Sequence, residues 1–272
     1  MRLEQKHQAG PILALDTSTA SMAAAIVSGH EVLAEIQTLA ERNHSVHVVS
    51  HMKEMLESSG VTGSDLEAIA VGNGPGSYTG MRIAVSVGKT LAWVWNKPLV
   101  AVSSLEALAY GAWQQGFDKE AGEIRTIEGE HWVFPIMDAR RGQVYSSGFA
   151  MTNNEQWSRF ADDGVRLMKD WVDRLAMRLT NQANGAVSSI SLVGDLSLHE
   201  TEAERLMQLG AAAGVNVRLQ SFVQEGRWIA MLGRTRLEAG LTENPHTFIP
   251  NYTQLTEAEV NWKAKQAGEA KA

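Results

Sequence analysis

The chain contains no cysteine, which excludes disulfides, thiolate metal sites and cysteine nucleophiles in one step. It also lacks long apolar runs: segments such as ALAYGAW fall far short of the roughly 18 residues a membrane helix needs. The opening MRLEQKHQAG is polar and has no apolar leader, so a cytoplasmic setting is expected. Basic excess is missing too. With 24 Lys+Arg against 31 Asp+Glu the net charge is −7, and Asp138-Ala139-Arg140-Arg141 is the densest basic cluster. A protein that held RNA by itself would be expected to show a basic face, so direct nucleic-acid binding is not expected.

What is present is a globular composition, 44% apolar and 20% charged over 272 residues, enough for two lobes. The first half alternates cleanly. PILALDT, MAAAIVS and EVLAEIQT read as an antiparallel meander, with a Gly29-His30 turn between the last two. HSVHVVSHMKEMLESSG follows as a helix, LEAIAVGN as a strand, TGMRIAVSVGKTLAWVWN as a helix, PLVAV as a strand and SSLEALAYGAWQQG as a helix opened by Ser103 or Ser104. The order is β-β-β-α-β-α-β-α, which points to an α/β fold of two lobes of the actin, sugar-kinase and Hsp70 type, each a mixed sheet with flanking helices. WVFPIMDAR and GQVYSSGFA read as the first hairpin of a second lobe, and 151–165 as a polar extended excursion. Helices near 166–180 and 198–212, the strand SISLVGD and the helix EGRWIAMLGRTRLEAG complete it. The expected division is 1–115, 116–245 and a partly disordered tail, 246–272.

The stretch GNGPGSYTGMRIAVSVGKT suggests a phosphate cradle but fails the literal patterns. A P-loop needs glycine where Ile83 stands, and a dinucleotide loop needs it at Ser77 or Thr79. A glycine turn leading into a helix capped by Ser77 or Thr79 is the plainer reading. Asp16, at the end of the first strand, either orients a phosphate-bound magnesium or caps the turn that follows it. Gly194-Asp195 is its counterpart in the second lobe and lacks a glycine run. His44, His47 and His51 share one helix stripe, which suits a metal or an ordinary half-exposed face with Asn43 as cap; no Asp, Glu or Cys assists them. Asp138-Ala139-Arg140-Arg141 reads as a hairpin corner. Trp93, Trp95, Trp113 and Trp262 read as core and interface filler.

LALDTST, NHS, GNGPGSYTGMRIAVSVGKTLA, PLVAVSSLEALA and MDARRGQVY together resemble the TsaB (YeaZ) family over nearly the whole chain. The resemblance implies a non-catalytic partner of TsaD, the subunit that places threonylcarbamoyl on N6 of adenosine 37 in tRNA, working with the ATPase TsaE. It implies that ATP or ADP and metal belong to TsaD and TsaE, that tRNA is met only through the complex, and that the chain pairs with itself when TsaD is absent. No membrane or DNA partner is implied. In the catalytic relative the segment after the fifth strand carries H-L-E-G-H; here it reads Ser104-Leu105-Glu106-Ala107-Leu108, so both metal-binding histidines are replaced. The tail departs from the family in having Tyr252-Thr253-Gln254.

The expected partner surface combines helices 44–59 and 79–95, because the apolar positions of the second helix, Met81, Ile83, Ala84, Val87, Leu91 and Val94, exceed one core face. Its residues are His44, Val48, Met52, Met55, Leu56, Tyr78, Thr79, Arg82, Ile83 and Val87. A vestigial nucleotide site would fall on Asp16, Thr17, Ser18, Gly194 and Asp195. The alternatives are a small-molecule kinase of the same fold, which needs glycine-rich loops in both lobes, and a metallopeptidase, which needs the paired histidines.

Overall fold

The computed structural model describes residues 9–39, 44–118, 129–152, 156–180 and 187–253. The first half runs β1 (Pro11–Asp16), β2 (Ser21–Ser28), β3 (Glu31–Leu39), α1 (His44–Ser59), β4 (Ala68–Gly72), α2 (Tyr78–Val94), β5 (Leu99–Val102) and α3 (Ser104–Asp118). The second half repeats the order: β6 (Glu130–Asp138), β7 (Gln143–Met151), β8 (Trp157–Leu167), α4 (Met168–Thr180), β9 (Val187–Gly194), α5 (Glu200–Ala212), β10 (Asn216–Ser221) and α6 (Gly226–Glu238). The sheets are ordered β3-β2-β1-β4-β5 and β10-β9-β6-β7-β8, so the second is the first with equivalent strands in equivalent places. This is the two-lobed actin and sugar-kinase architecture.

Layering explains the strand sequences. Ile12 and Ala14 of β1 face a central core while Leu13 and Leu15 face an outer one, and Ala25 and Val27 of β2 divide from Ala24 and Ile26 in the same way. A strand buried on both faces must be apolar throughout, which is why β1, β2 and β4 read as unbroken apolar runs. The outer face of the first sheet carries α1 and α2, and that of the second carries α4 and α5. Between the sheets lie α3 and α6. Here the lobes exchange helices: α3 follows the first sheet yet packs on β6, β7 and β9, and α6 follows the second sheet yet packs on β1, β2, β4 and β5.

Charge pairs bind the exchanged helices. Glu106 of α3 accepts from Arg236 of α6 at 2.7 Å and from Arg159 of β8 at 3.2 Å, and Arg236 also donates to Ala101 O. Arg227, at the start of α6, holds Glu35 of β3 through Nε at 2.8 Å. Two strands depart from the sequence reading. The excursion at 151–165 contains most of β8, and β10 was not expected at all. Both are edge strands with one hydrogen-bonded neighbour and few fully buried side chains; Val217 and Phe160 reach the core, while residues such as Arg218 point to solvent. Asn43, Trp262, the His44 side chain and the tail beyond 253 lie outside the described residues.

His131 on β6 is the buried titratable group of this junction. Its Nε2 lies 3.0 Å from Ser191 Oγ, its Nδ1 meets Ser189 Oγ, and the ring sits 4.5 Å from that of Trp113. Burial, helped by the positive charge of Arg218, pushes its pKa down to about 4. A depressed histidine pKa contributes stability that is fully present above its unfolded value near 6.5 and is lost as pH falls toward 4. That contribution is on the order of 3 kcal/mol. Urea melts of His131→Asn should show a flatter fall of stability between those pH values than the parent; parallel curves would remove His131 from the acid limb.

Candidate functional site

The glycine turn between β4 and α2 is built against the turn that follows β1. Thr17 Oγ1 donates to Gly80 O at 2.6 Å and accepts from Ala84 N at 3.2 Å, so one hydroxyl ties the end of β1 to the first turns of α2. Ser77 N donates to Ser18 O at 2.7 Å, and Ser77 Oγ caps the helix by accepting from Gly80 N at 3.3 Å. Ser104 Oγ accepts from Gly74 N at 3.0 Å. The glycines are there for close approach. A Cβ at Gly72 would overlap the Asp16 carboxylate, one at Gly76 the Ser18 backbone, and one at Gly80 the carbonyl oxygen of Thr17.

This packing decides how a nucleotide would fare. The bare backbone that would meet a phosphate is covered by the chain's own Asp16, Thr17 and Ser18, all buried. Asp16 Oδ1 accepts from Ser18 N at 2.6 Å, the capping geometry, while Oδ2 and Ser18 Oγ have no partner among the described residues. Burial pushes the Asp16 carboxyl above the usual carboxylate range, against the pull of the Ser18 amide. A carboxylate 1% exposed and held as a cap is badly placed to orient a magnesium ion. In the second lobe Asp195 caps its own turn through Ser197 N and Oγ, and Leu108 lies against Gly194. Asp16, Thr17, Ser18, Gly194 and Asp195 do not fit a phosphate-bound metal.

The other candidates separate clearly. Asp138 to Arg141 form the β6–β7 corner, closed by Ala139 N to Gln143 O at 2.9 Å, with Arg140 and Arg141 exposed. The His47 and His51 rings lie 6.1 Å apart, and no cluster of three metal-ligating side chains occurs among the described residues. Trp113 is core, Trp95 covers Gly63, and Trp93 is exposed.

The proposed partner surface needs correction. Val48, Met52 and Met55 are 0 to 3% exposed and belong to the outer core of the first sheet, so they anchor α1 rather than face outward. The apolar stripe of α1 is consumed by the sheet beneath it. On α2, Met81 and Ala84 are likewise buried, Ile83, Val87 and Leu91 are half-buried, and Tyr78, Thr79, Arg82, Trp93 and Val94 are exposed. Leu56 is half-buried and Val49 is 66% exposed. Sequence reasoning also missed a segment after α6 that runs along α2. Lys89, read within a phosphate-like Gly-Lys-Thr, donates to Phe248 O at 2.7 Å. Nothing in the spacing of the tail announces this.

Two substitutions test the interlock. Asp16→Asn should raise the melting temperature at pH 7, because a raised carboxyl pKa adds stability that is full below the unfolded value near 3.8 and lost as pH climbs through the folded one. The gain should vanish toward pH 4, and a loss at pH 7 would mean the charge is needed. Gly80→Ala should cost at least about 2 kcal/mol in urea, since backbone must move to admit the methyl group.

Residues 31–262 match the family model described as TsaD: tRNA N6-adenosine threonylcarbamoyltransferase. The tRNA threonylcarbamoyladenosine biosynthesis protein TsaB of Bacillus subtilis (strain 168) is 33% identical over 262 residues, covering 94% of this chain and 99% of that protein. TsaB of Escherichia coli (strain K12) is 33% identical over 146 residues, 54% of this chain and 58% of that protein. A solved structure described as YeaZ from Pseudomonas aeruginosa shares the fold, with a TM-score of 0.65 at 22% identity over 89% of this chain and 99% of that one. With a curated TsaB matched along almost its entire length, the chain belongs to the TsaB (YeaZ) family.

Proposed function

We propose that this chain serves in the formation of threonylcarbamoyladenosine on tRNA as a non-catalytic subunit that binds a TsaD-type subunit and works alongside TsaE. The relatives' names supply the process. The observation that carries the subunit role is the fate of Ser104 and Leu108, which stand where the transferase resemblance places metal-binding histidines. Ser104 is wholly buried and its hydroxyl is spent on Gly74 N, while Leu108 is 2% exposed in the central core between the sheets. A buried neutral hydroxyl engaged by a backbone amide is a poor metal ligand, and an alkyl group is none. The interlocked Asp16 turn supports the same reading for nucleotide. ATP or ADP and metal are thus assigned to the partners, and tRNA is reached through the complex.

The contact is assigned to Tyr78, Thr79 and Arg82, exposed on α2, with the half-buried Ile83 and Val87 of the same helix and Leu56 of α1. Without TsaD the same face pairs two copies of the chain, an isologous dimer. The experiment is a modification assay with purified TsaD, TsaE and this protein, omitting each in turn, with TsaD affinity measured in parallel. Activity should require all three, and this protein alone should neither turn over ATP nor transfer threonylcarbamoyl. Val87→Glu, checked by its melting temperature to be folded because the side chain is half-buried, should weaken TsaD binding at least about tenfold, equal to about 1.4 kcal/mol, and lose modification with it. Full modification without this protein, or unchanged binding by Val87→Glu and Arg82→Glu, would sink the reading.

A further inference from the structure

After α6 the chain turns at Gly240, and Glu243 N donates to Leu99 O at 2.8 Å on the edge strand β5. It then follows α2 backwards. His246 meets Trp93 near the end of the helix (ring centroids 6.4 Å apart), Lys89 holds Phe248 O, and Asn251 N donates to Asn73 O at 2.8 Å. The Tyr252 ring lies 5.2 Å from that of Tyr78, the first residue of α2. Phe248 is buried in the same core as α2. Residues 243–253 are therefore a strap fixed along one flank of the helix.

The strap leaves an exposed apolar edge. Ile249 is 67% exposed and Tyr252 41%, beside Tyr78 at 49%, whose ring carries the Arg82 guanidinium 5.1 Å from its centroid. The charge here is one-sided. From Asn73 to Ser103 the chain has Arg82, Lys89 and Lys97 and no carboxylate, and the strap's one carboxylate, Glu243, stands at its far end beside Leu99, although the whole chain carries −7. Lys89 and Lys97 donate to backbone carbonyls of Phe248 and Ser64. Arg82, exposed and in no ion pair among the described residues, is the cation turned outward.

We propose that Ile249 and Tyr252 of the strap, with Tyr78 and Arg82 of α2, form one anchor for a partner protein whose matching surface sets a carboxylate among aliphatic side chains. Arg and Tyr in a single stack are the residue types that dominate binding at the centre of protein interfaces, and a carboxylate is the group a guanidinium grips in bidentate fashion. RNA is the poorer occupant, since one outward cation beside aliphatic side chains neutralises few phosphates. The proposal rests on the subunit reading above and extends that contact from the helices to the strap.

The test measures TsaD binding to the full chain carrying Ile249→Asp, Tyr252→Ala or Arg82→Glu, with Val87→Glu as the helix reference. Ile249→Asp and Tyr252→Ala should each weaken binding at least about tenfold at unchanged melting temperature. Arg82→Glu should do the same and abolish the slowing of association by salt. If the strap variants bind like the parent while Val87→Glu does not, the anchor is wrong and the helix contact stands. If Val87→Glu also binds like the parent, both readings fall. If the chain alone binds tRNA and Arg82→Glu removes that binding, the face is a nucleic-acid contact and the proposal is overturned.

Discussion

The hydroxyl of Thr17 is the constraint on which the first lobe depends. By donating to Gly80 O and accepting from Ala84 N it fixes the angle at which α2 leaves the sheet, and the carbonyl beside it leaves no room for any side chain at position 80. Everything proposed for α2 follows from that angle. The helix lies over β1 and β4 with its far side outward, and the segment from 243 to 253 finds its length and direction already set. The glycines of this loop face inward to their own chain. The same bare backbone that binds phosphate in other proteins here receives a threonine, a serine and an aspartate.

Much of this was legible in the residues. The apolar runs of β1, β2, β4 and β5, the cap at Ser77 and the β6–β7 corner follow from local chemistry, because burial on two faces, helix capping and turn geometry each leave a direct mark on sequence. The repeat of topology was implied by the two-lobed fold class, not by any repeat in the residues, and is seen in the strand order. β8 and β10 were not legible, since their residues are mostly half-buried or exposed and leave no apolar run, unlike the edge strand β5, whose four residues are all buried.

The candidate site was read less well, and for a definable reason. Periodicity shows that a helix has an apolar stripe, but not whether the sheet beneath uses all of it. Val48, Met52 and Met55 are used entirely, whereas Val87 and Ile83 are used in part. The strap was invisible because its contacts depend on where the chain goes after α6, which no local pattern encodes. Lys89 shows the limit well: Gly-Lys-Thr looks like chemistry, and its cation is spent on the carbonyl of Phe248.

The exchange of α3 and α6 has a consequence for the order in which the chain is made. The inner face of the first sheet, with Ile12, Ala14, Ala70 and Val102, is covered by α6, which ends at Glu238. A nascent chain emerges from its amino end, so this apolar face stays open through the synthesis of the entire second sheet. The first lobe is therefore the first to be written and the last to be closed. During that interval its uncovered sheet is the surface that a chaperone would meet.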